Sequence, residues 1–400
     1  MLIGFDIRRS DAFGVGTYSK SLLRALARCA AGEEFVLVGG RRHQSFFRDL
    51  PENFRFLTSE KSYGGLDNHV RFQFALRPLS LDVFHVPHRT APYFLPCPYV
   101  TTVHDLDQIL FQEAFGSRFR AEAFSHVLRH GLRRADRIIA VSEATKHDLV
   151  ALLGVPAGHI EVVHNAIDEQ FTRRDAEADR RRTLERYQVD YPFLLYVGNI
   201  QPQKNLPRLV EAFAVVQSEL EQHPRFRELR LIIIGDELAS HPDLRRSVIR
   251  SRVQHRVRFL GFVPVETLRI FYSSAAAFVF PSLYEGFGLP PLEAMAQGTP
   301  VVTSNVSSLP EVVGEAAVLV NPENVFDIAR GIKQALVDDD LREALIARGR
   351  EQAARFSWDR AAQRVLEIYR EVASKKTRSK GANKSEKPRF IHSNSTGEIS

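Results

Sequence analysis

The sequence predicts an α/β protein built from two doubly wound, parallel-sheet domains that face each other across a cleft. Its 400 residues suit two domains, and a hydrophobic content of 44% is enough to form two cores. Short apolar runs alternate with amphipathic segments of helix length, which is typical of parallel sheets covered by helices. A charged stretch from residue 169 to 190 interrupts this alternation, and we interpret it as the junction between the domains.

The first domain is predicted over residues 1–180. It opens with the strand LIGFDIR, the glycine-containing loop RSDAFGVGTYS and a helix through SLLRALARCA. Further apolar runs predict strands at FVLVGG, DVFHVP, YVTTVHD, RIIAVS and IEVVHN. A long helix is expected from Glu113 to Arg134.

The second domain is predicted over residues 181–357, with strands at FLLYVGN, LRLIIIG, VRFLGF, AAAFVF, TPVVTSN and AAVLVNP. Helices are expected between them, near residues 206–220, 243–251 and 265–273. A final helix over residues 358–373 follows Ser357, a residue type that favours the N-cap position, and it begins with the only tryptophan, Trp358. Short connectors between alternating strands and helices are what a parallel sheet requires.

The net charge of +6 is concentrated at the C-terminus, where residues 374–400 contain seven basic and two acidic residues. This polar, aperiodic segment is expected to be a disordered basic tail, and the nearly neutral body gives no reason to expect a nucleic-acid partner.

No apolar run is long enough to span a membrane, and MLIGFDIRRS lacks the apolar core of a secretory signal. We therefore expect a cytoplasmic protein. Cys29 and Cys97 suggest neither a disulfide framework nor a zinc site.

Two glutamates flank a glycine turn in PSLYEGFGLPPLEAMAQG, at Glu285 and Glu293. The preceding run AAAFVF predicts a strand, while Pro291 and Gly298 suit the start and the end of a short helix. Ligands of open α/β sheets bind at such corners, and the first turn of a helix favours an anion such as phosphate. The alternative is an ordinary strand-to-helix connection with solvated glutamates.

Three further candidates follow predicted strands. The loop Gly14-Val15-Gly16 fits close approach of the backbone to a substrate or phosphate, or simply a tight turn. Lys204 precedes a helix and is placed to contact a phosphate, although most lysines only solubilise a surface. His104 ends a strand and either bonds a sugar hydroxyl or serves the structure. Since no metal-binding pattern is present, a bound diphosphate would be neutralised by lysine, amides and helix dipoles, which predicts activity without metal.

Together these motifs resemble the retaining glycosyltransferases of family 4. The E-x7-E spacing from Glu285 to Glu293 matches that family, as do GVGTYS, TVHDL, VSEATKHDL, VVHNAID, YVGNIQPQKNL, LIIIGD, VRFLGFV and FSWDRAAQRVLEIYR. The resemblance covers all but the tail. It implies a GT-B fold of two Rossmann-like domains, with a nucleotide sugar on the second domain, an acceptor on the first, and a last helix that crosses back.

Residue by residue, the resemblance implies that Glu293 bonds the ribose hydroxyls, that Glu285 contacts the donor sugar, and that Lys204 binds the diphosphate. His104 would lie beside the transferred sugar. The other implied positions are the amides of Phe287, Gly288 and Leu289, the donor-side residues Gly286, Gly198, Asn199 and Val263, and the phosphate and acceptor loop Gly14, Val15 and Gly16. Asn199 stands where many members have an arginine; Arg208 either compensates or is solvated.

The resemblance also implies transfer of a hexosyl group from a nucleotide diphosphosugar to a glycan or lipid-linked acceptor, with no further cofactor. VFHVPHRTAPYFLPCPYVTTVHDL and VTSNVSSLPEVVGEAA resemble bacterial mannosyltransferases of polysaccharide assembly, which favours GDP-mannose over UDP-sugars. Two rival classes with the same fold are an isomerase and a non-catalytic sugar-nucleotide sensor.

A segment that combines basic and apolar residues contains Arg118, Arg120, Arg129, Arg133 and Arg134. It either lies on anionic lipid as a peripheral contact or packs as an ordinary helix.

Overall fold

The computed structural model describes residues 1–12, 14–59, 72–90, 94–111, 118–236, 238 and 241–385. Two parallel sheets, each covered by helices, lie in this part of the chain, which confirms the predicted fold class. The central strands are almost entirely buried, which explains why they form continuous apolar runs in the sequence, whereas the strands at the sheet edges are less buried.

The first sheet has seven strands in the order β3-β2-β1-β4-β5-β6-β7. Its strands are β1 Leu2–Asp6, β2 Glu34–Gly39, β3 Phe54–Thr58, β4 Val83–Val86, β5 Tyr99–Val103, β6 Arg137–Ala140 and β7 Ile160–Val162. The helices of this domain are α1 Val15–Cys29, α2 Arg41–Gln44, α3 Phe72–Leu76, α4 Asp107–Leu110, α5 Arg118–Arg134 and α6 Glu143–Leu153. The sequence analysis missed β3, because this edge strand is mostly exposed and carries little apolar signal.

The second sheet has six strands in the order β10-β9-β8-β11-β12-β13. These are β8 Phe193–Gly198, β9 Arg230–Gly235, β10 Val257–Phe259, β11 Ala277–Phe280, β12 Val301–Ser304 and β13 Ala317–Val320. The helices are α7 Glu177–Arg186, α8 Leu206–Glu219, α9 Pro242–Arg250, α10 Val265–Ser274, α11 Leu289–Ala296, α12 Leu309–Val313, α13 Val325–Val337, α14 Asp339–Ala354 and α15 Trp358–Ser385.

The helices at the boundaries differ in detail from the sequence prediction. The predicted junction after residue 180 falls inside α7, which packs on α10 of the second domain through an edge-to-face contact between Tyr187 and Phe271. The predicted start of a helix at Glu113 lies outside the described residues, and the described part begins at Arg118.

The last helix, α15, packs against α1 and buries Trp358 and Tyr369 in the core of the first domain. We expected it to end at residue 373 and the following segment to be disordered. The helix instead continues to Ser385, since lysine, arginine and alanine, the residue types of the four lysines, Arg378 and Ala382 of this segment, are compatible with a helix. The rest of the predicted tail, residues 386–400, lies outside the described residues.

Candidate active site

The two loops that carry the strongest sequence candidates meet at the centre of the second sheet. Strands β8 and β11 are neighbours there, while β9 and β12 continue the sheet in opposite directions. A crevice forms outside the carboxyl ends of two such strands, and ligands bind in it. The loops are joined directly, because the amide of Leu283 donates to the carbonyl of Gln203 at 2.7 Å.

Lys204 and Glu285, which are 81 residues apart in the chain, form an ion pair in this crevice. Their Nζ and Oε1 atoms are 2.6 Å apart, and their side chains are only 16% and 12% exposed. The ammonium also lies 5.6 Å from the centre of the Phe280 ring at the end of β11. A buried ammonium with a single carboxylate partner can exchange that partner for the oxygens of a diphosphate at low cost in desolvation.

The turn before α8 is fixed by Asn205, the residue that follows Lys204. Asn205 has a left-handed backbone, with φ of 61°. Its side-chain amide donates to the carbonyls of Pro281 at 3.0 Å and Pro322 at 2.7 Å. These bonds tie the lysine loop to the motif loop and hold the lysine at the crevice.

The start of α11 presents backbone N–H groups that a ligand could bind. The helix begins at Leu289, two residues before the start expected at Pro291, and Gly288 precedes it with φ of 110°. A Cβ on Gly288 would also lie 2.8 Å from Leu309, so only glycine fits without movement. Since Pro290 and Pro291 have no N–H group, the first-turn donors come from Gly288 and Leu289, two of the three amides implied by the resemblance.

Serine hydroxyls from the next loop hold the carbonyls of the motif. Ser307 Oγ donates to the carbonyl of Glu285 at 2.6 Å. Ser308 Oγ donates to the carbonyls of Glu285 at 2.9 Å and Phe287 at 2.7 Å. The carbonyls of this turn are therefore satisfied by protein, while the side chain of Phe287 is buried in the core.

Glu293 lies in α11, apart from the ion pair, and contacts α10. Its Oε2 accepts a hydrogen bond of 2.8 Å from the hydroxyl of Tyr272. Burial raises the pKa of Glu293 to about 7, and the charge of Asp168 adds to the rise, although the bond from Tyr272 acts in the opposite direction. A carboxyl poised near neutrality is an acceptor that hydroxyl donors, such as those of a ribose, would stabilise in its ionised form.

The remaining donor-side candidates lie at the ends of β8 and β10. Gly198 has φ of 150°, and a Cβ on the neighbouring Gly235 would lie 2.0 Å from its carbonyl oxygen. The carbonyl of Asn199 accepts from Tyr196 at 3.1 Å. The side chain of Val263 is part of the core, so any contact with a ligand would come from its backbone.

Arg208, the candidate to compensate for the arginine that Asn199 replaces, bonds the neighbouring Asn205. Its Nη1 donates to Asn205 Oδ1 at 3.0 Å, which ties the guanidinium to the first turn of α8. The cation that faces Glu285 is therefore Lys204.

His104 follows β5 in the first domain and is oriented by its neighbours. Its Nε2 donates to the carbonyl of Pro87 at 3.0 Å. Its ring packs edge-to-face with that of Tyr18, with the ring centres 4.7 Å apart. Burial lowers the pKa of His104, which favours the neutral imidazole. With Nε2 acting as donor, Nδ1 remains as the acceptor on this ring.

A buried chain of hydrogen bonds lies behind His104. Tyr18 bonds Thr102 at 3.0 Å, Thr102 bonds His85 Nε2 at 2.8 Å, and His85 Nδ1 bonds Tyr369 of α15 at 2.5 Å. The last helix thereby contributes to the support beneath the histidine.

The glycine loop before α1 separates into two roles. Gly14 is exposed and has φ of 75°, with open space around the position of a Cβ. Gly16 is buried, and a Cβ there would lie 2.5 Å from the carbonyl oxygen of Ser10. The need for glycine at Gly16 is therefore explained by packing, whereas the exposed backbone of Gly14 and the partly buried Val15 remain candidates for contact with a ligand.

The first domain contacts the motif loop directly. A Cβ on Gly286 would lie 1.6 Å from the carbonyl oxygen of His104. The carbonyl of Gly286 accepts from Ser142 Oγ at 2.7 Å and from Thr145 Oγ1 at 3.1 Å, and Tyr284 donates to Asp148 Oδ2 at 2.9 Å. His104 of the first domain therefore lies against the loop that carries Glu285 and Gly286.

The sequence analysis missed an ionic cluster on the wall next to His104. Arg89 pairs with Asp105 and, at 3.3 Å, with Asp107. Burial and the neighbouring carboxyl of Asp105 raise the pKa of Asp107 to about 6. Because Arg89 follows β4 while both aspartates follow β5, no spacing in the sequence indicates that they meet.

Within the described part of the chain, no group of three or more metal-binding side chains comes together. Independence from metal stays a prediction. No helix of the described residues is long and apolar enough to cross a membrane.

Comparisons with known proteins show which family the chain resembles. The model of the family described as Glycosyl transferases group 1 matches residues 179–352, and that of Glycosyltransferase Family 4 matches residues 13–171. O-antigen chain mannosyltransferase B of Escherichia coli is 33% identical over 380 residues, which cover 89% of this chain and 96% of that protein. The serotype-specific mannosyltransferase WbdA of E. coli is 33% identical over 398 residues, which cover 90% of this chain but only 46% of WbdA.

Among solved structures, Anabaena HepE in complex with UDP-glucose superposes with a TM-score of 0.73 at 18% identity. The match covers 93% of this chain and 100% of HepE. At this identity the likeness concerns the fold.

Proposed function

The chain belongs to the glycosyltransferases of family 4, and from this premise we propose that it is a retaining mannosyltransferase. Its donor is GDP-mannose, and its acceptor is a hydroxyl of a glycan or of a lipid-linked oligosaccharide in polysaccharide assembly. The observation that carries the proposal is the Lys204–Glu285 pair, which lies at the ends of the central strands of the second sheet, beside the Gly286 backbone that contacts His104 of the first domain.

In the proposed reaction, the bond between the anomeric carbon and the diphosphate oxygen breaks, and the acceptor oxygen bonds to that carbon on the same face. The acceptor proton passes to an oxygen of the leaving diphosphate, so charge and atoms balance without a further reactant. Lys204 and the amides at the start of α11 stabilise the charge that develops on the diphosphate. Glu285 and His104 orient the sugar from the two walls.

Glu293 is assigned to the ribose. Two carboxylates that flank a glycosidic bond are the machinery of a hydrolase, but Glu293 contacts Tyr272 of α10 and is paired with the nucleotide in this proposal. Its raised pKa is consistent with a carboxyl that becomes ionised when hydroxyl groups donate to it.

The choice of GDP-mannose is supported by the names of the two E. coli mannosyltransferases that resemble this chain. A UDP-sugar is the second candidate, because the HepE structure of the same fold holds UDP-glucose. A thermal-shift panel of GDP, UDP, ADP and their sugars separates the two, since a ligand that binds the native state raises its apparent stability. A larger shift with UDP-sugars than with GDP-mannose would reject the mannosyl assignment.

The catalytic assignment is tested with Glu285→Ala and Lys204→Ala, each compared with Lys333→Ala. Lys333 is a matched control, because its ammonium pairs with Glu219 at 2.8 Å on the exposed surface, away from the crevice. Loss of the Lys204 ammonium, which stabilises the leaving diphosphate in this proposal, is expected to lower turnover of the nucleotide sugar by about 100-fold or more, and loss of the Glu285 contact to the sugar is expected to lower it as well. Rates near those of the control in both variants would defeat the proposal.

Product analysis with donor alone separates the rival classes. An isomerase would convert the nucleotide sugar without an acceptor, and a sensor would bind it without turnover. A transferase is expected to consume the donor at an appreciable rate only when an acceptor is present.

We also propose a peripheral contact with the membrane through the first domain, which would bring a lipid-linked acceptor to the cleft. Phe94 and Leu110 are 49% and 43% exposed, and the guanidinium of Arg134 lies 5.9 Å from the Phe94 ring. Arginine beside exposed apolar side chains suits anionic lipid. Absence of flotation with anionic liposomes at low salt would reject this contact.

A further inference from the structure

Glu311 of α12 joins the two domains through three hydrogen bonds. Its Oε1 accepts from His164 Nε2 at 2.6 Å and from the amide of Glu143 at 3.0 Å, and its Oε2 accepts from the amide of Ala144 at 3.3 Å. All three donors belong to the first domain, and His164 is 147 residues away in the chain. One carboxylate of the second domain is therefore bound entirely by the first.

The position of this carboxylate is electrostatically favourable. The amides of Glu143 and Ala144 are the first two of α6, which have no partner within their own helix, and the positive end of the helix dipole lies there. Burial would raise the pKa of Glu311, but the bonds from His164 and from the two amides hold it below its usual range. The carboxylate is thus ionised in the closed arrangement, and its side chain is 24% exposed.

The same segment also holds the donor loop. Ser307 and Ser308, just before α12, donate to the carbonyls of Glu285 and Phe287. Ser308 is the N-cap residue of α12, which runs from Leu309 to Val313, so a displacement of Glu311 is expected to move these serines with it. The bonds to the first domain and the bonds to the loop around Glu285 are therefore both made by residues 307–311.

The start of α6 contacts the donor loop as well. Ser142 caps α6 by accepting from the amide of Thr145, and both hydroxyls donate to the carbonyl of Gly286. The first turn of α6 therefore binds the motif at Gly286 and binds α12 at Glu311. When the domains separate, both sets of bonds are lost together.

We propose that Glu311 is a positioning residue that couples closure of the two domains to the geometry of the donor-binding loop around Glu285. The inference rests on the proposed donor site and adds to it the element that makes the site complete only in the closed state. Glu311 contacts neither substrate in this proposal. It acts through α6 on one side and through Ser307 and Ser308 on the other.

The expected kinetic signature is a fall in kcat with little change in donor binding. Donor contacts lie mainly on the second domain and are retained when the domains open, whereas catalysis requires His104 from the first domain. Loss of charge-assisted bonds between the domains is expected to lower kcat by at least about 10-fold in Glu311→Ala. Glu311→Gln retains one oxygen acceptor and is expected to fall between Glu311→Ala and the wild type.

The experiment compares these two variants with Glu315→Ala. Glu315 is exposed, lies two residues after the end of α12, and has no hydrogen bond or ion pair among the residues that the structure describes. Measured quantities are kcat, the donor Kd, the melting temperature, and the radius of gyration by small-angle X-ray scattering. We expect a larger radius of gyration for Glu311→Ala, with a donor Kd and a melting temperature close to those of the control.

Two results would overturn the inference. One is a kcat and a radius of gyration equal to those of Glu315→Ala. The other is a loss of kcat that follows a matching loss of thermal stability and donor affinity, as expected from a purely structural residue. Failure of the wild type to bind any nucleotide sugar would instead reject the proposed function, and the radius of gyration would still show whether Glu311 holds the domains together.

Discussion

Replacing Glu293 with glutamine is expected to stabilise the protein at alkaline pH and to leave its stability almost unchanged in acid. Burial raises the pKa of Glu293 from 4.5 to about 7 in the folded state. The folded protein therefore favours the protonated carboxyl, and this contribution is fully present below pH 4.5 and is lost as the pH rises through 7. Glutamine does not titrate, and it keeps an oxygen that can accept from Tyr272.

The magnitude follows from the same pKa values. A rise from 4.5 to about 7 makes the ionised carboxylate cost at most about 3 kcal/mol at pH above 7, and partial exposure of the side chain reduces this figure. For a domain of 150–250 residues, about 3 kcal/mol corresponds to about 6–12 °C in melting temperature. This shift in melting temperature is the upper limit of the expected stabilisation of Glu293→Gln above pH 7.

The assay is differential scanning fluorimetry of both proteins from pH 5 to pH 9, with Glu315→Gln as an exposed control. Groups that titrate in both proteins cancel in the difference of melting temperatures. This difference is expected to be small at pH 5 and to grow through pH 7 for Glu293→Gln, and to stay flat for the control. A difference that does not depend on pH would refute the assigned burial and ionisation of Glu293.

Three further predictions concern other parts of the molecule. Asp6→Asn removes the carboxylate that pairs with the buried guanidinium of Arg8 at 2.6 Å; urea unfolding should show a loss of about 3 kcal/mol, and a loss below about 0.5 kcal/mol would contradict this. Gly286→Ala places a methyl group 1.6 Å from the carbonyl oxygen of His104, so the domains must separate and turnover should fall more than donor affinity; unchanged turnover would show that the cleft is more open in solution. Excess EDTA should not affect turnover, because in the proposed site Lys204 and backbone amides neutralise the diphosphate; recovery of lost activity on adding Mg²⁺ would refute this.

Part of the candidate site was predictable because Lys204, Glu285 and His104 each follow a strand. Lys204 follows the predicted strand FLLYVGN, and Glu285 follows AAAFVF. The carboxyl ends of parallel strands meet at one edge of a sheet, and the structure brings the two side chains to 2.6 Å. Their roles in binding stay predictions.

Other features gave no signal in the sequence. Strand β3 is exposed on most of its length, so the apolar pattern that marks the other strands is weak there. The cluster of Arg89, Asp105 and Asp107 and the bonds of Glu311 join residues from separate loops. A solvated glutamate would have the same sequence context as Glu311.

The sequence by itself determined the two parallel sheets, the glycine-rich turns and the family, because buried strands impose apolar runs and because turns with positive φ require particular residues. Only the tertiary structure decided how the domains meet. Contacts such as Ser142 with Gly286 span 144 residues, and they depend on the relative placement of two separately folded cores. The period of the apolar residues in the sequence constrains each core. Polar contacts between the domains join residues that are far apart in the sequence and follow no such period.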